Sequence, residues 1–148
     1  MQGQHFAAIY SSDLKRARET AEIIAAKLEL PVRMDERLRE INQGEWEGLQ
    51  VDFIRSHYAE LWEQRNVDPA TVRPPGGETL REVALRVYAA LDEISGRHVG
   101  AAVLLVSHGL SLATALCKVQ GISLGKAYEI IPENTEPVWV EWKPDGKE

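Results

Sequence analysis

The sequence predicts an α/β protein built on a mostly parallel sheet flanked by helices. Two observations carry that prediction. Short apolar runs bounded by turn residues alternate with longer stretches whose apolar residues recur every three or four positions, and that alternation builds parallel sheets. The clearest short run, Ala101-Ala-Val-Leu-Leu-Val106, is apolar throughout, as expected of a strand buried on both faces.

Taken in order, Phe6–Tyr10 is the first strand candidate, followed by the N-cap residues Ser11, Ser12 and Asp13. Leu14, Ala17, Ala21, Ile24 and Leu28 then mark one face of a helix. Arg16 falls in its first turn, where a cation opposes the helix dipole. Its guanidinium either joins an anion site at the strand end or sits in the solvated charged face formed with Lys15, Arg18 and Glu19. Leu30–Met34 is an edge strand, because Pro31 suits only an edge or a strand start. Asp35–Gly48 reads as an ordered loop pinned by Leu38, Ile41 and Trp46. Any of its carboxylates, Asp35, Glu36, Glu40, Glu45 or Glu47, could serve as a general acid near an anion.

Val51, Ile54, Tyr58, Leu61 and Trp62 predict a second helix. Asn66–Gly77, rich in Pro and Gly, is a lid or connecting segment. A third helix opens at Glu78-Thr79 and stops at Gly96. After the Ala101–Val106 strand, a fourth helix runs from Leu110 to about Val119 and ends at Gly121. Tyr128–Ile131 and Pro137–Trp142 are the last strand candidates. Between the central strand and the fourth helix stands Ser107-His108-Gly109, with Gly109 permitting the tight turn. His108 then lies at the carboxyl end of a strand, where open α/β sheets bind ligands, or is a core histidine bonded to backbone.

At this length one domain over residues 1–148 is expected. A net charge of −6 argues against non-specific nucleic-acid binding, while a local basic pocket still allows an anionic small substrate. No apolar run is long enough to span a bilayer, so no membrane partner is expected. The single cysteine, Cys117, reads as a buried hydrophobe; with no internal disulfide available, a reducing, cytoplasmic setting fits. His5, His57, His98 and His108 are too scattered for a metal site. Phosphate-loop, paired-cysteine and nucleophile-elbow signatures do not occur.

Four blocks taken together carry a resemblance. They are Tyr10-Ser-Ser-Asp-Leu-Lys-Arg16-Ala-Arg-Glu-Thr-Ala21, Leu38-Arg-Glu40-Ile-Asn-Gln-Gly44-Glu-Trp-Glu-Gly48, Pro75-Gly-Gly-Glu-Thr79 and Val106-Ser-His108-Gly109. In this order, with the closing Glu133-Asn-Thr135, they resemble the histidine phosphatase superfamily, the phosphoglycerate-mutase-like group, and in particular its small bacterial broad-specificity and α-ribazole phosphatases. The resemblance implies a three-layer α/β fold and metal-free, cofactor-free hydrolysis of a phosphomonoester through a phosphohistidine. A histidine attacks phosphorus, a carboxylic acid protonates the leaving oxygen, and water then releases the phosphate. By position it makes Arg16, His108 and Gly109 phosphate-binding and Glu40 the proton donor; Asn42 stands where the family often has histidine.

The family's attacking histidine belongs to an Arg-His-Gly-Glu run after a first, central strand, and that run does not occur in these 148 residues. Arg97-His98 lies in the loop entering the Val103 strand, and His5 precedes its own strand, so neither replaces it. The chain is therefore expected to be an N-terminally truncated histidine-phosphatase-like domain, inactive as given, that takes inorganic phosphate or a small phosphorylated metabolite. The alternatives are a phosphate-binding remnant or an interaction protein. Loss of a central strand leaves mid-sheet edges, which favours a homodimer or strand exchange.

Overall fold

Three strands, β1 (Ala8–Ser11), β2 (Val32–Met34) and β3 (Val103–Val106), form a parallel sheet in the order β2-β1-β3, with Ile9 aligned to Val32 on one side and Leu104 on the other. The computed structural model describes residues 5–134 and 136–144; Thr135, which closes the Glu133-Asn-Thr135 run, lies outside the described residues. These residues divide into two compact units. A sheet unit holds residues 5–39, 86–108 and 139–144, and a helical unit holds residues 40–85 and 109–138.

In the sheet unit the pleat sorts the side chains into two faces. Ile9, Leu104 and Val106 meet Ala21 and Ala25 of helix α1 (Lys15–Leu28). Ala8, Tyr10, Val103 and Leu105 meet Ala90 and Ile94 of helix α4 (Leu80–Arg97), with Leu38 completing that layer. Helix, sheet and helix thus make the expected three layers. Small alanines at i, i+4 and i+8 let α1 approach the sheet closely, and Ile9 is fully buried between the layers, worth about 2–3 kcal/mol of apolar burial.

Several local expectations change. β3 is half-buried and, among the described residues, pairs only with β1, so it is an edge strand with the composition of a central one. Pro137–Trp142 is not a strand. Trp139 stacks on Phe6 with ring centroids 5.8 Å apart, and Trp142 Nε1 donates to Asp92 Oδ1 at 2.9 Å. Residues three apart both reach side-chain partners, a spacing a period-two strand would send to opposite faces. The segment is held by its side chains rather than by a backbone ladder.

The helical unit contains α2 (Val51–His57), α3 (Ala59–Val67), the first turns of α4 and α5 (Gly109–Gln120). The single helix expected over Val51–Trp62 breaks at Tyr58, whose φ of −124° and ψ of 45° are not helical. Trp46 fills the bend, with its ring 5.8 Å from Tyr58 and 6.4 Å from Trp62. Tyr128–Ile131 joins the end of a 3-10 turn instead of a strand. Thr79 opens α4 by a reciprocal cap: its hydroxyl accepts the Glu82 amide at 3.1 Å, and Glu82 Oε1 accepts the Thr79 amide at 2.9 Å. α4 then runs through Gly96 to Arg97, so that glycine does not end it. Gly121, at φ 69°, does end α5.

Candidate functional site

In the sheet unit His108 is separated from β3 by Ser107 and stands at the strand's carboxyl end, half-buried. Its Nε2 lies 2.9 Å from Ser12 Oγ, and the tautomer sets which of the two donates. Ser12, fully buried, leaves β1 at the same end of the sheet: its amide donates to Val106 O at 2.9 Å, and its hydroxyl accepts the Leu14 amide at 3.2 Å. The residues expected as helix caps therefore act differently. Leu14 is the N-cap of α1, and Ser12 orients the histidine. Arg16 is exposed on the first turn of α1, next to Lys15, whose ammonium pairs with Glu19 at 3.9 Å. Its exposure leaves the Arg16 guanidinium able to reach an anion.

The loop leading to Glu40 is held by ion pairs within the same unit. Arg37 bonds Asp35, with Nη2 to Oδ2 at 2.7 Å, and also Glu93; Arg39 pairs with Asp13. The Arg37 hydrogen bonds hold the Asp35 carboxyl below its ordinary value, and the Arg39 hydrogen bond does the same for Asp13. Asp35 is thereby a structural anion among the five carboxylates. Asp35 Oδ1 also accepts the Arg37 amide at 2.9 Å, capping the 3-10 turn Glu36–Leu38.

In the helical unit the half-buried Glu40 is the carboxylate that meets the first turn of α5. Its Oε2 accepts the Leu110 amide at 3.0 Å, and its Oε1 accepts the Ser111 amide at 3.0 Å and the Ser111 hydroxyl at 3.2 Å. The first amides of a helix have no intrahelical acceptor, so Glu40 supplies a cap from a distant part of the chain. Gly109, the first residue of α5, does not have the positive φ that a turn-forming glycine would show. Its surroundings are crowded instead: a Cβ there would stand 2.6 Å from Cγ2 of the exposed Ile131 side chain, which would have to shift.

Two loops interlock just beyond Glu40. Glu45 N donates to Pro75 O and Glu78 N to Asn42 O, each at 2.8 Å, while Glu78 Oε1 accepts the Asn42 amide at 2.9 Å. Gly44 and Gly77 allow the backbones to touch, since a Cβ on Gly77 would meet Asn42 O at 2.5 Å. Arg73 donates to Gly77 O at 3.1 Å and pairs with Glu82. Of the two roles expected for Asn66–Gly77, lid or connector, these bonds at its end fit the connector. Two open clefts of this unit run along α3, one lined by Arg55, Trp62 and Asn66, and neither of the two includes Glu40. Among the described residues no cluster of His, Cys, Asp and Glu could hold a metal ion, and no helix is long and apolar enough to cross a membrane.

The strand-end pattern drew attention to His108 and Gly109, and the family resemblance singled out Arg16 and Glu40; neither pointed to Ser12, which the Ser-Ser-Asp run signalled only as a cap. The family model of the histidine phosphatase superfamily, branch 1, matches residues 1–148. The chain belongs to this superfamily. It is 34% identical over 131 residues to Phosphoserine phosphatase 1 of Hydrogenobacter thermophilus, covering 88% of this chain and 62% of that protein. Among solved structures it is similar to Bacillus stearothermophilus YhfR, with TM-score 0.78 and 36% identity, covering 87% of this chain and 64% of that one. It is also similar to a mycobacterial glucosyl-3-phosphoglycerate phosphatase solved in complex with inorganic phosphate, with TM-score 0.73 and 29% identity, covering 84% of this chain and 64% of that one. The chain therefore spans just under two thirds of these relatives.

Proposed function

We propose that this chain carries the phosphate-holding and proton-donating parts of a phosphomonoester hydrolase that works through a phosphohistidine. The observation that carries the reading is His108, set at the carboxyl end of β3 with its Nε2 on a buried serine hydroxyl. A histidine oriented in this way at a strand end can hold a transferring phosphoryl oxygen. Arg16, on the first turn of α1, supplies a positive group for the same oxygens, and the family resemblance adds the Gly109 backbone amide. Glu40 is the acid that protonates the leaving oxygen as the P–O bond breaks. The match over the whole chain and the phosphate complex of a relative support a small phosphorylated metabolite or inorganic phosphate as ligand. The attack on phosphorus falls to a histidine in an Arg-His-Gly-Glu run, which these 148 residues do not contain.

The test is hydrolysis of p-nitrophenyl phosphate by the 148-residue chain beside His108→Ala and Glu40→Ala, with melting temperature measured against inorganic phosphate. The expected result is turnover no greater than in the variants, and a phosphate-dependent rise in melting temperature that is lost in His108→Ala and Arg16→Ala. Turnover abolished by both His108→Ala and Glu40→Ala would mean that an attacking group survives in this chain. No rise with phosphate would remove the ligand assignment.

A second reading, an interaction protein acting through homodimer formation or strand exchange, draws on β3. Its Val-Leu-Leu-Val run has no charged residue, yet it forms an edge of the sheet among the described residues. Uncharged edges recruit further strands. Size-exclusion chromatography decides this reading: a concentration-dependent dimer supports it, and a monomer at every concentration rejects it.

A further inference from the structure

The three residues before Glu40 are held at every carbonyl by a side chain from elsewhere in the sheet unit. Arg86 Nη1, on α4, donates to Arg37 O and to Arg39 O, each at 2.8 Å. Ser107 Oγ, between β3 and His108, donates to Leu38 O at 2.6 Å. The side chains are fixed as well: Arg37 by Asp35 and Glu93, Leu38 by burial at 2% exposure, and Arg39 by Asp13. An irregular surface loop ordinarily gives its carbonyls to water. Here two side chains replace that water at three consecutive positions, and one of the donors is charged, which strengthens its hydrogen bonds. The next residue in the chain is Glu40, whose carboxylate rests on the Leu110 and Ser111 amides at 3.0 Å.

We propose that Arg86 and Ser107 are positioning residues for Glu40, fixing the backbone that enters it so that its carboxylate stays on the first turn of α5. The physical need is geometric. A glutamate has three rotatable side-chain bonds, and hydrogen bonds weaken steeply once distance and angle drift. A displacement of about 1 Å in such a group costs a reaction far more than it costs the fold. Fixing the backbone immediately upstream removes that drift. The functional meaning of this brace rests on the assignment of Glu40 as the acid, but the brace itself can be tested without turnover or ligand.

The experiment is amide hydrogen exchange by NMR on the 148-residue chain. Leu110 and Ser111 lie in the first turn of α5, where amides lack helical acceptors, so Glu40 protects them. Glu40→Ala should remove that protection and sets the scale. Arg86→Ala and Ser107→Ala should each lower protection of these two amides at least tenfold, while the Cys117 amide in mid-helix keeps its wild-type value. Arg86→Lys, which retains a cationic donor, should recover part of the loss. A merely structural role would lower all of these amides together, and that outcome overturns the proposal. So does wild-type protection at Leu110 and Ser111 in both the Arg86 and Ser107 variants when Glu40→Ala has lost it. If Arg86→Ala does not fold, Ser107→Ala and Arg86→Lys decide the question. Failure here with phosphate binding intact would leave the functional reading standing; loss of phosphate binding with this pattern intact would do the reverse.

Discussion

Gly44→Ala tests whether the two loops beyond Glu40 are joined by backbone contact. Gly44 has a φ of 56°, a left-handed conformation that costs a residue with a Cβ about 1–2 kcal/mol. An added Cβ would also run into Pro75 O and stand 2.5 Å from Gly77 N, both backbone atoms unable to swing aside. Relief requires the loops to part, which breaks the 2.8 Å bonds from Glu45 N to Pro75 O and from Glu78 N to Asn42 O. At roughly 1 kcal/mol per hydrogen bond, the total comes to about 3–4 kcal/mol. Gly48 is the internal control, because it is also left-handed, at φ 75°, but a Cβ there meets nothing within 4 Å. Gly48→Ala should therefore cost only the conformational part, about 1–2 kcal/mol. Urea unfolding of both variants measures the difference directly, and in thermal melts it should appear as a drop of roughly 10 °C for Gly44→Ala against roughly 4 °C for Gly48→Ala. Equal losses would refute the interlocked-loop account.

Three further outcomes follow from the same structure. Thr79→Ala removes the hydroxyl that accepts the Glu82 amide and should cost about 1 kcal/mol in urea unfolding, with Thr79→Ser restoring it; no loss would mean the cap does not act in solution. Asp35 has its carboxyl held below the ordinary 3.8 by the Arg37 hydrogen bonds, so its contribution is complete above the unfolded-state value and is lost as pH falls through the lower folded-state one. The stability gap between wild type and Asp35→Asn should thus shrink as pH drops from 6 to below the ordinary carboxylate range, and a gap independent of pH would reject the ion pair. Cys117 is 1% exposed and burial pushes its thiol up, so Ellman's reagent at pH 8 should react with it only after denaturation; immediate reaction in the native state would contradict its burial.

Legibility tracked the range of the interaction. The face Leu14, Ala17, Ala21, Ile24 and Leu28 repeats within one helix, and Pro31 marks an edge wherever it stands, so the existence of α1 and β2 was readable locally. Ala17 and Ala21 are buried as expected, while Leu14 is the exposed N-cap and Ala25 joins the buried face. Gly121 likewise ended α5 by its own conformational freedom. Tyr58 looked like one more apolar position in a helix, and only the packing of Trp46 against it and against Trp62 shows why the chain bends there. The alternation Val138, Val140, Trp142 had the period of a strand. Whether such a segment becomes one depends on a neighbouring backbone, which no local pattern contains.

The candidate site divides in the same way. The sequence by itself determined the α/β class and the family, because residue type and order along the chain carry that information, and the family resemblance proposed Arg16, Glu40, His108 and Gly109 as site residues. Only the tertiary structure decided what those residues touch: Ser12 on His108, the first amides of α5 on Glu40, and Arg86 and Ser107 on the carbonyls just ahead of it. The physical reason is separation along the chain. These partners lie from 47 to 96 residues apart, and a hydrogen bond over that distance exists only after the chain between has folded; within the sheet unit it is the packing of the apolar faces of β1, β3, α1 and α4 that brings the ends together.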